Sequence, residues 1–347
     1  MNLRIALAAA ALAAPLFAAP LFAQDHPVPS DPRWLVYSAA DPEQKPGLGA
    51  HVVFVAGEQE YRAEQALPML ARLLSARHGF HCTVLFTLKD GMVDPTQKTR
   101  PDDPEMFHEL PGLEHLASAD LLVLFTRFLT LHDEDLAHLD RYLDSGKPLI
   151  GIRTANHGFQ GNWTYEVDGK KVRFGDDVLG GTFRGHHGGW HREATRGIVV
   201  EANADHPVLR GVKDVFGPTD VYRTYPKGKG LPRGCTALLL GQPLRSLERD
   251  AEPNTDKEAL PVAWVKTWTG NGGKAARVFH MTMGSARDFE CDDLRRLFLN
   301  ASLWCLGRED QITKELSVAL VGAYAPLHSG FDYEKLGVKP HPPSHYR

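Results

Sequence analysis

Gly151-Ile152-Arg153-Thr154-Ala155-Asn156-His157 is the stretch that decides how this sequence folds. It begins within the apolar run at 148–152, which is typical of a short buried parallel strand, and it continues into a polar turn. In open α/β sheets, ligands bind at the carboxyl ends of the strands, where a strand–turn–helix can hold a reactive residue on a strained elbow. We therefore expect Arg153 and His157 to line the principal pocket.

The first half of the sequence alternates apolar runs with segments of helical periodicity. Apolar runs at 51–57, 81–87, 121–125 and 148–152 alternate with helical patterns such as Leu136, Leu139 and Leu143. This order predicts an α/β fold with a doubly wound, mostly parallel sheet and helices on both faces. Further short strands are predicted at 197–202, 220–225, 236–240, 261–268 and 276–283, followed by a closing helix at 292–306.

The N-terminal segment has the features of a secretory signal peptide. Residues 1–23 combine a weakly basic start with an Ala- and Leu-rich stretch and a small residue, Ala23, at the expected cleavage position. A membrane anchor is the alternative, but Pro15 and Pro20 interrupt the apolar run. We expect a periplasmic or secreted protein with no integral membrane segment after signal removal.

The remaining chain divides into a lead-in at 24–49, a main domain at 50–308 and a C-terminal tail at 309–347. We expect the tail to wrap the surface or to be partly disordered.

The net charge of the chain bears on its partners, and the spacing of its cysteines bears on zinc sites and disulfides. The formal net charge of -4 over 347 residues, without a basic stripe, argues against nucleic acid as a partner. The four cysteines have no spacing typical of structural zinc or of a disulfide framework, and we expect them to be buried small hydrophobic residues.

Several segments, taken in their order and spacing, resemble the trehalose-utilisation (ThuA-like) family. They are residues 56–61, the strand from 119 to 127, the segment 145–157, the pair 205–208 and 219–222, then 261–264, 277–284 and the helix ending at 304–307. The resemblance implies a class I glutamine amidotransferase-like (flavodoxin-like) fold and a role with disaccharides such as trehalose, plausibly as 3-keto sugars. Where that fold carries a cysteine at the elbow, this sequence has Arg153, so we expect no glutaminase activity. A second departure is Gly284-Ser285, where many relatives carry Gly-His.

Polar residues at the expected strand ends are candidates for catalysis. Glu60 could act as a general acid or base, or instead form an ion pair with Arg127 or Arg153 that stabilises its turn. Arg153 could bind an anion or a developing enolate, or be a buried partner of Glu60. His157 is a candidate for proton transfer.

Sugar recognition requires polar contacts together with an aromatic platform. The candidate substrate-binding residues are Tyr61, Arg127, Thr154, Trp190, Asp220 and Tyr222. Phe128, Trp163, Arg287 and Asp288 are also expected near the crevice that the strand ends form at the carboxyl edge of the sheet. Asp220 and Tyr222 alternate on a predicted strand and would face the same side. Otherwise, Asp220 caps the turn after Pro218.

The 17 histidines raise the alternative of a metal site. His186, His191 and His280, with a carboxylate such as Asp220, could bind zinc or a related divalent ion. A histidine that acts as a general acid or base, or that donates to a sugar hydroxyl, is the competing interpretation.

These residues support three hypotheses for function. The first is an exported enzyme, a hydrolase, lyase or isomerase, that transfers protons next to a keto group of a disaccharide or 3-keto sugar. The second is a non-catalytic carbohydrate-binding protein. The third is an amidohydrolase with a displaced nucleophile.

Overall fold

The computed structural model describes residues 30–39, 45–99, 106–161 and 163–347. The expected signal peptide therefore lies outside the described residues. Within these ranges, no helix combines the length and the apolar character needed to cross a membrane.

The four cysteines are free thiols. Cys82, Cys291 and Cys305 are buried and Cys235 is half-buried, in agreement with their prediction as small core residues.

The described residues form fourteen β-strands and four α-helices. The strands are β1 (Trp34–Tyr37), β2 (His51–Gly57), β3 (His81–Phe86), β4 (Leu88–Lys89), β5 (Met92–Val93), β6 (Leu121–Thr126), β7 (Leu149–Ile152), β8 (Glu166–Val167), β9 (Lys170–Lys171), β10 (Thr195–Val199), β11 (Val215–Gly217), β12 (Thr236–Pro243), β13 (Leu260–Thr269) and β14 (Ala275–Met281). The helices are α1 (Ala63–His78), α2 (Asp133–Asp144), α3 (Asp292–Cys305) and α4 (Tyr333–Leu336).

Ten strands form one sheet in the order β1-β3-β2-β6-β7-β14-β13-β12-β10-β11. The neighbours from β3 to β14 are parallel, whereas β1 and the strands from β13 to β11 pair antiparallel. The predicted α/β, doubly wound sheet is confirmed, with an antiparallel extension at one side. The extension is antiparallel because its strands are joined without crossover helices, which parallel neighbours require.

Helices cover both faces of the parallel strands. Val52 and Phe54 of β2 belong to the hydrophobic core that includes α1 and α3, whereas Val53 and Val55 belong to the core on the α2 side. Every residue of β2 is buried, as expected for a strand that is covered on both faces. Because helices cover both faces of these strands, their residues can contact a ligand only at the strand ends.

The predicted strand at 220–225 is wrong. Tyr222 makes an isolated β-bridge with His186, and the neighbouring strand β11 lies earlier, at Val215–Gly217. The segment is held outside the sheet by Thr219 and Asp220, which both accept hydrogen bonds from the buried guanidinium of Arg153.

The two terminal regions add to this sheet and its edge. Part of the lead-in forms β1, which pairs with β3. The tail runs along α1, where Arg77 donates to the carbonyl of Leu320 at 2.9 Å, and then reaches the carboxyl edge, where the amide of Gly330 donates to the carbonyl of Glu60 at 2.9 Å. The tail thus wraps the surface, passes the candidate site at Gly330 and continues to β5, where the carbonyl of Val93 accepts from the amide of His341 at 3.1 Å.

Candidate functional site

The turn after β7 has the backbone of a strained elbow. Arg153 begins the short 3₁₀ helix Arg153–His157 and has a φ of 43°, a left-handed conformation that is uncommon for a residue with a side chain. The elbow predicted at the carboxyl end of this strand is therefore present, and an arginine occupies it.

The guanidinium of Arg153 points into the protein and is 0% exposed. It donates to the carbonyl of Thr282 at 2.7 Å, to Oγ1 of Thr219 at 3.1 Å and to Oδ1 of Asp220 at 3.0 Å. The expectation that Arg153 lines the pocket is thus contradicted, because its side chain is completely buried. Its salt-bridge partner is Asp220 and not Glu60.

Two tyrosine rings enclose the same guanidinium. The Arg153 carbon Cζ lies 4.0 Å from the ring centroid of Tyr61 and 4.2 Å from that of Tyr222, within the range of cation–π attraction. The two hydroxyls are 3.0 Å apart, with Tyr222 donating to Tyr61. Tyr61 and Tyr222, predicted as sugar contacts, are almost fully buried and form the floor beneath the crevice.

Glu60 lies in the turn after β2, and 5% of its side chain is exposed. Glu58 stabilises the turn by accepting hydrogen bonds from the backbone amides of Glu60, at 2.7 Å, and of Tyr61. Burial, together with the charge of Glu60, raises the pKa of Glu58 to about 7. The turn therefore holds the Glu60 carboxyl in one orientation.

The carboxylate of Glu60 is surrounded by donors. Oε1 accepts from Nε1 of Trp190 at 2.7 Å and lies 3.4 Å from Nε2 of His191, and Oε2 is 4.0 Å from Nε of Arg127. Burial by itself would raise the pKa of this carboxyl, but hydrogen bonds led by those from His191 and Trp190 hold it below its ordinary value. Glu60 is therefore ionised at neutral pH.

The mouth of the crevice is aromatic. Trp190 is 43% exposed and Phe331, from the tail, is 41% exposed, and their ring centroids are 6.5 Å apart. Arg127 lies 4.8 Å from the ring of Phe128 and 5.1 Å from that of Phe331, with 21% of its side chain exposed. We call Trp190, Phe331 and Phe128 the aromatic platform.

An aspartate–histidine pair lies beside Glu60. Nδ1 of His186 is 2.7 Å from Oδ2 of Asp220, and the other oxygen of that carboxylate is bound by Arg153. The buried carboxylate of Asp220 holds one ring nitrogen of His186, and 36% of the His186 side chain is exposed. The opposite ring nitrogen can therefore exchange a proton with a ligand. The His186 ring is 5.9 Å from that of Trp190, so Trp190 stands between the two proton-transfer groups.

His157 is a neutral ring that lines a small cavity together with Phe159 and Thr182. Its Nδ1 is 2.6 Å from Oδ1 of Asn156, and the ring packs against Phe128 at 4.8 Å and Phe183 at 4.9 Å. Burial, followed by the positive charge of Arg127, lowers the pKa of His157 to about 3. This histidine can donate or accept a hydrogen bond but stays unprotonated near neutral pH.

The three histidines predicted as metal ligands are not brought together. His186 and His191 bind different carboxylates, and His280 is fully buried in β14 with Nδ1 donating to the carbonyl of Gly151 at 2.8 Å. Across the ranges that the structure describes, no group of three His, Cys, Asp or Glu side chains could hold a metal ion. These residues do not fit a zinc-like ion.

Other predicted residues have positions outside the crevice surface. Thr154 is completely buried. Trp163 lies on the α2 side, where Nε1 donates to Oδ1 of Asp140 at 2.7 Å. Asp288 is buried and accepts from the amides of Gly284 and Ser285, so it stabilises the turn after β14.

The family is established by the sequence profile of the ThuA family, described as trehalose utilisation, which matches residues 51–305. This chain belongs to the ThuA family. Two solved structures similar to this ThuA protein are putative ThuA-like proteins. The one from Bacteroides uniformis ATCC 8492 has 15% identity, covers 81% of this chain and 100% of its own, and has a TM-score of 0.47. The one from Parabacteroides merdae ATCC 43184 has 14% identity, covers 82% of this chain and 95% of its own, and has a TM-score of 0.46. No curated protein matches the sequence.

Two features of this ThuA protein's site escaped sequence reasoning. Phe331 lies in the tail, beyond the residues that match the family, and a single aromatic in a Pro- and His-rich segment gives no signal. The pairing of His186 with Asp220 links residues 34 positions apart that share no periodic pattern. The histidine-rich loop at 185–191 is the available clue, and the sequence leaves a metal site and a general acid or base as alternatives for it.

Proposed function

We propose that this ThuA protein is exported and acts on a neutral disaccharide or its 3-keto form by proton transfer. The observation that supports this is the placement of an ionised carboxylate, Glu60, and an aspartate-held imidazole, His186, on either side of the exposed indole of Trp190. A general base and a second proton-transfer group beside an aromatic surface suit a sugar that loses a proton from carbon.

The proposed step begins with a ketone on the sugar ring. Glu60 removes the proton from the carbon next to the carbonyl, and the electron pair of that C–H bond moves onto the carbonyl oxygen. Arg127, the partly exposed cation 4.0 Å from Glu60, stabilises the developing enolate. Arg153 takes no direct part, because its guanidinium is buried against Asp220.

The fate of the enolate distinguishes elimination from isomerisation. In elimination, the electron pair returns to form a carbon–carbon double bond while the glycosidic C–O bond breaks. Protonated His186 then gives its proton to the departing oxygen, and Asp220 stabilises the imidazolium beforehand. In isomerisation, Glu60 gives the proton to the former carbonyl carbon, while a proton moves from the hydroxyl on the first carbon, which becomes the new carbonyl, to the former carbonyl oxygen.

The test is incubation of the mature protein with native and 3-keto disaccharides, with product masses measured by mass spectrometry. We expect turnover of a keto sugar, unchanged by a chelator, and loss of turnover in Glu60→Gln. Glu201→Gln, at an exposed glutamate, is the matched control. Tight binding of a disaccharide with neither a mass change nor an isomerised product in the NMR spectrum would refute catalysis.

That outcome would support the second candidate, a non-catalytic carbohydrate-binding protein. The observation in its favour is that a buried arginine occupies the elbow of the fold while two large aromatic rings remain exposed at the mouth of the crevice. Glutaminase activity is not expected from this site, because Arg153 cannot act as a nucleophile. Ammonia release from glutamine that a thiol reagent abolishes would overturn this expectation.

Export is a proposal based on residues 1–23 alone. We expect the mature chain, when produced with its native leader, to begin near Gln24. N-terminal sequencing of the exported fraction measures this, and an intact Met1 in the cytoplasmic fraction would contradict it.

A further inference from the structure

A separate cavity adjoins the Glu60 crevice on its outer side. It has a volume of about 350 Å³, within the range of small-ligand pockets, and we call it the outer cavity. Its walls come from the loop at 247–249, the turn at Arg287–Cys291, the edge strand β11 and tail residues His328 and Ser329. The outer cavity is not part of the crevice described above, whereas the tail borders both.

His191 connects the two spaces. It lines the outer cavity and also lies 3.4 Å from the Glu60 carboxylate, with 34% of its side chain exposed. The tail borders the junction, because a β-carbon at Gly330 would lie 3.6 Å from Cε1 of His191. A ligand that extends from Glu60 past His191 would therefore enter the outer cavity.

The charged residues around the outer cavity are balanced. Arg287 pairs with Glu290 at 3.2 Å and contacts His328 at 2.9 Å. Arg249 binds Asp214 at 2.7 Å. Because each arginine already has a carboxylate partner, the cavity offers fixed donors and acceptors without the net positive charge that an anionic ligand would favour.

One wall of the cavity is apolar. Phe216 and Leu247 line it together with Pro218, and the guanidinium of Arg249 covers the Phe216 ring at 5.4 Å. Hydrogen-bonding pairs opposite an apolar wall match a pyranose ring, which carries hydroxyls at its edge and C–H groups on its faces.

We propose that the outer cavity is the subsite for the second, uncharged sugar unit of a disaccharide whose first unit lies at Glu60. This rests on the proposed function and specifies its substrate: two neutral units, with the C-terminal tail forming one wall of the second subsite. The tail lies beyond residues 51–305, so this part of the specificity belongs to this chain and not to the family-matched region.

Calorimetric titration of the full mature chain with trehalose, glucose and trehalose 6-phosphate tests the proposal. We expect trehalose to bind at least tenfold more tightly than glucose and also more tightly than the phosphorylated disaccharide. Arg287→Met removes donors from the outer cavity only, so it should weaken trehalose binding at least tenfold while glucose binding stays within twofold. His328→Ala should have a smaller effect of the same kind, about threefold.

Arg245→Met is the matched control, because Arg245 is an exposed arginine that pairs with Asp256 away from the cavity. Equal affinities for trehalose and glucose, or an Arg287→Met variant that weakens both alike, would overturn the second subsite and leave the Glu60 chemistry standing. Tighter binding of trehalose 6-phosphate would overturn the neutral specificity. If no disaccharide binds or reacts, in native or 3-keto form, the proposed function fails together with this inference.

Discussion

Arg127 and Arg153 follow the adjacent parallel strands β6 and β7, yet the burial of their side chains differs. Arg153 is 0% exposed, bonded to Asp220 and enclosed by two tyrosines. Arg127 has 21% of its side chain exposed and lies at the mouth of the crevice, 4.0 Å from Glu60. A place at the carboxyl edge of the sheet is therefore not enough to make a residue ligand-facing.

The difference shows that the two arginines act on the site in different ways. Arg153 stabilises the floor beneath the crevice, because its guanidinium positions the Asp220 carboxylate and that carboxylate in turn holds His186. Arg127 contributes charge where a ligand would bind. Substitutions at the crevice should thus change activity with little effect on stability, whereas substitutions in the floor should mainly reduce stability.

The largest expected effect is at Glu60. Glu60→Gln keeps the shape of the side chain but removes the proton acceptor, so we expect the turnover of a keto disaccharide to fall by about 10²–10⁴-fold. The thermal midpoint should change by only a few degrees. Kinetics and thermal melting of Glu60→Gln beside Glu201→Gln measure both quantities. Retained turnover would transfer the role of base to another residue, His186 first.

Arg153→Met should mainly reduce stability. It leaves the buried Asp220 carboxylate without its partner, which typically costs about 3–5 kcal/mol of unfolding free energy. Arg127→Met is the matched control and should cost less than about 1 kcal/mol, since a partly exposed pair contributes little. Urea denaturation measures both variants. Equal stability of the two would remove the distinction between floor and crevice.

A third expected effect is acid destabilisation through His280. Burial lowers the pKa of His280 to about 3, whereas an unfolded histidine has a pKa of about 6.5. Between these values the unfolded chain binds more protons, so stability falls as the pH drops below about 6.5. From pH 7.5 to 5, His280 should account for about 2 kcal/mol of that loss.

Urea denaturation of His280→Met at both pH values checks this effect. The variant should show a smaller loss between pH 7.5 and 5 than the parent, whatever its stability at pH 7.5. His157 is the comparison: its pKa is also lowered to about 3, so His157→Gln should reduce the loss by a similar amount. An unchanged pH dependence in His280→Met would mean that His280 is not the group responsible.

The smallest expected effect is at Arg127. Arg127→Lys keeps the charge but loses the planar guanidinium that lies against Phe128 and Phe331. We expect kcat/KM to fall about tenfold, or about 1.4 kcal/mol of transition-state stabilisation, with unchanged stability. Arg245→Lys serves as the control. Full activity of Arg127→Lys would show that charge alone suffices at this position.

The sequence alone determined the parallel half of the sheet and its strand ends. Runs such as 121–125 and leucines at helical spacing are local signals of burial, and they predicted β2, β3, β6, β7 and α2. The same signals located the elbow at Arg153 and placed Glu60 at a strand end. The family resemblance, based on the order of such segments, is confirmed over residues 51–305.

Only the tertiary structure decided which of these residues face a ligand. Arg153 is buried by Asp220 and Thr282, which lie 67 and 129 positions further along the chain, and Phe331 reaches the crevice because the tail folds back to Glu60. Periodicity reports the burial of a residue relative to its neighbours in sequence. The depth of a side chain at a sheet edge depends on segments that pack over it from elsewhere, and no local pattern encodes that packing.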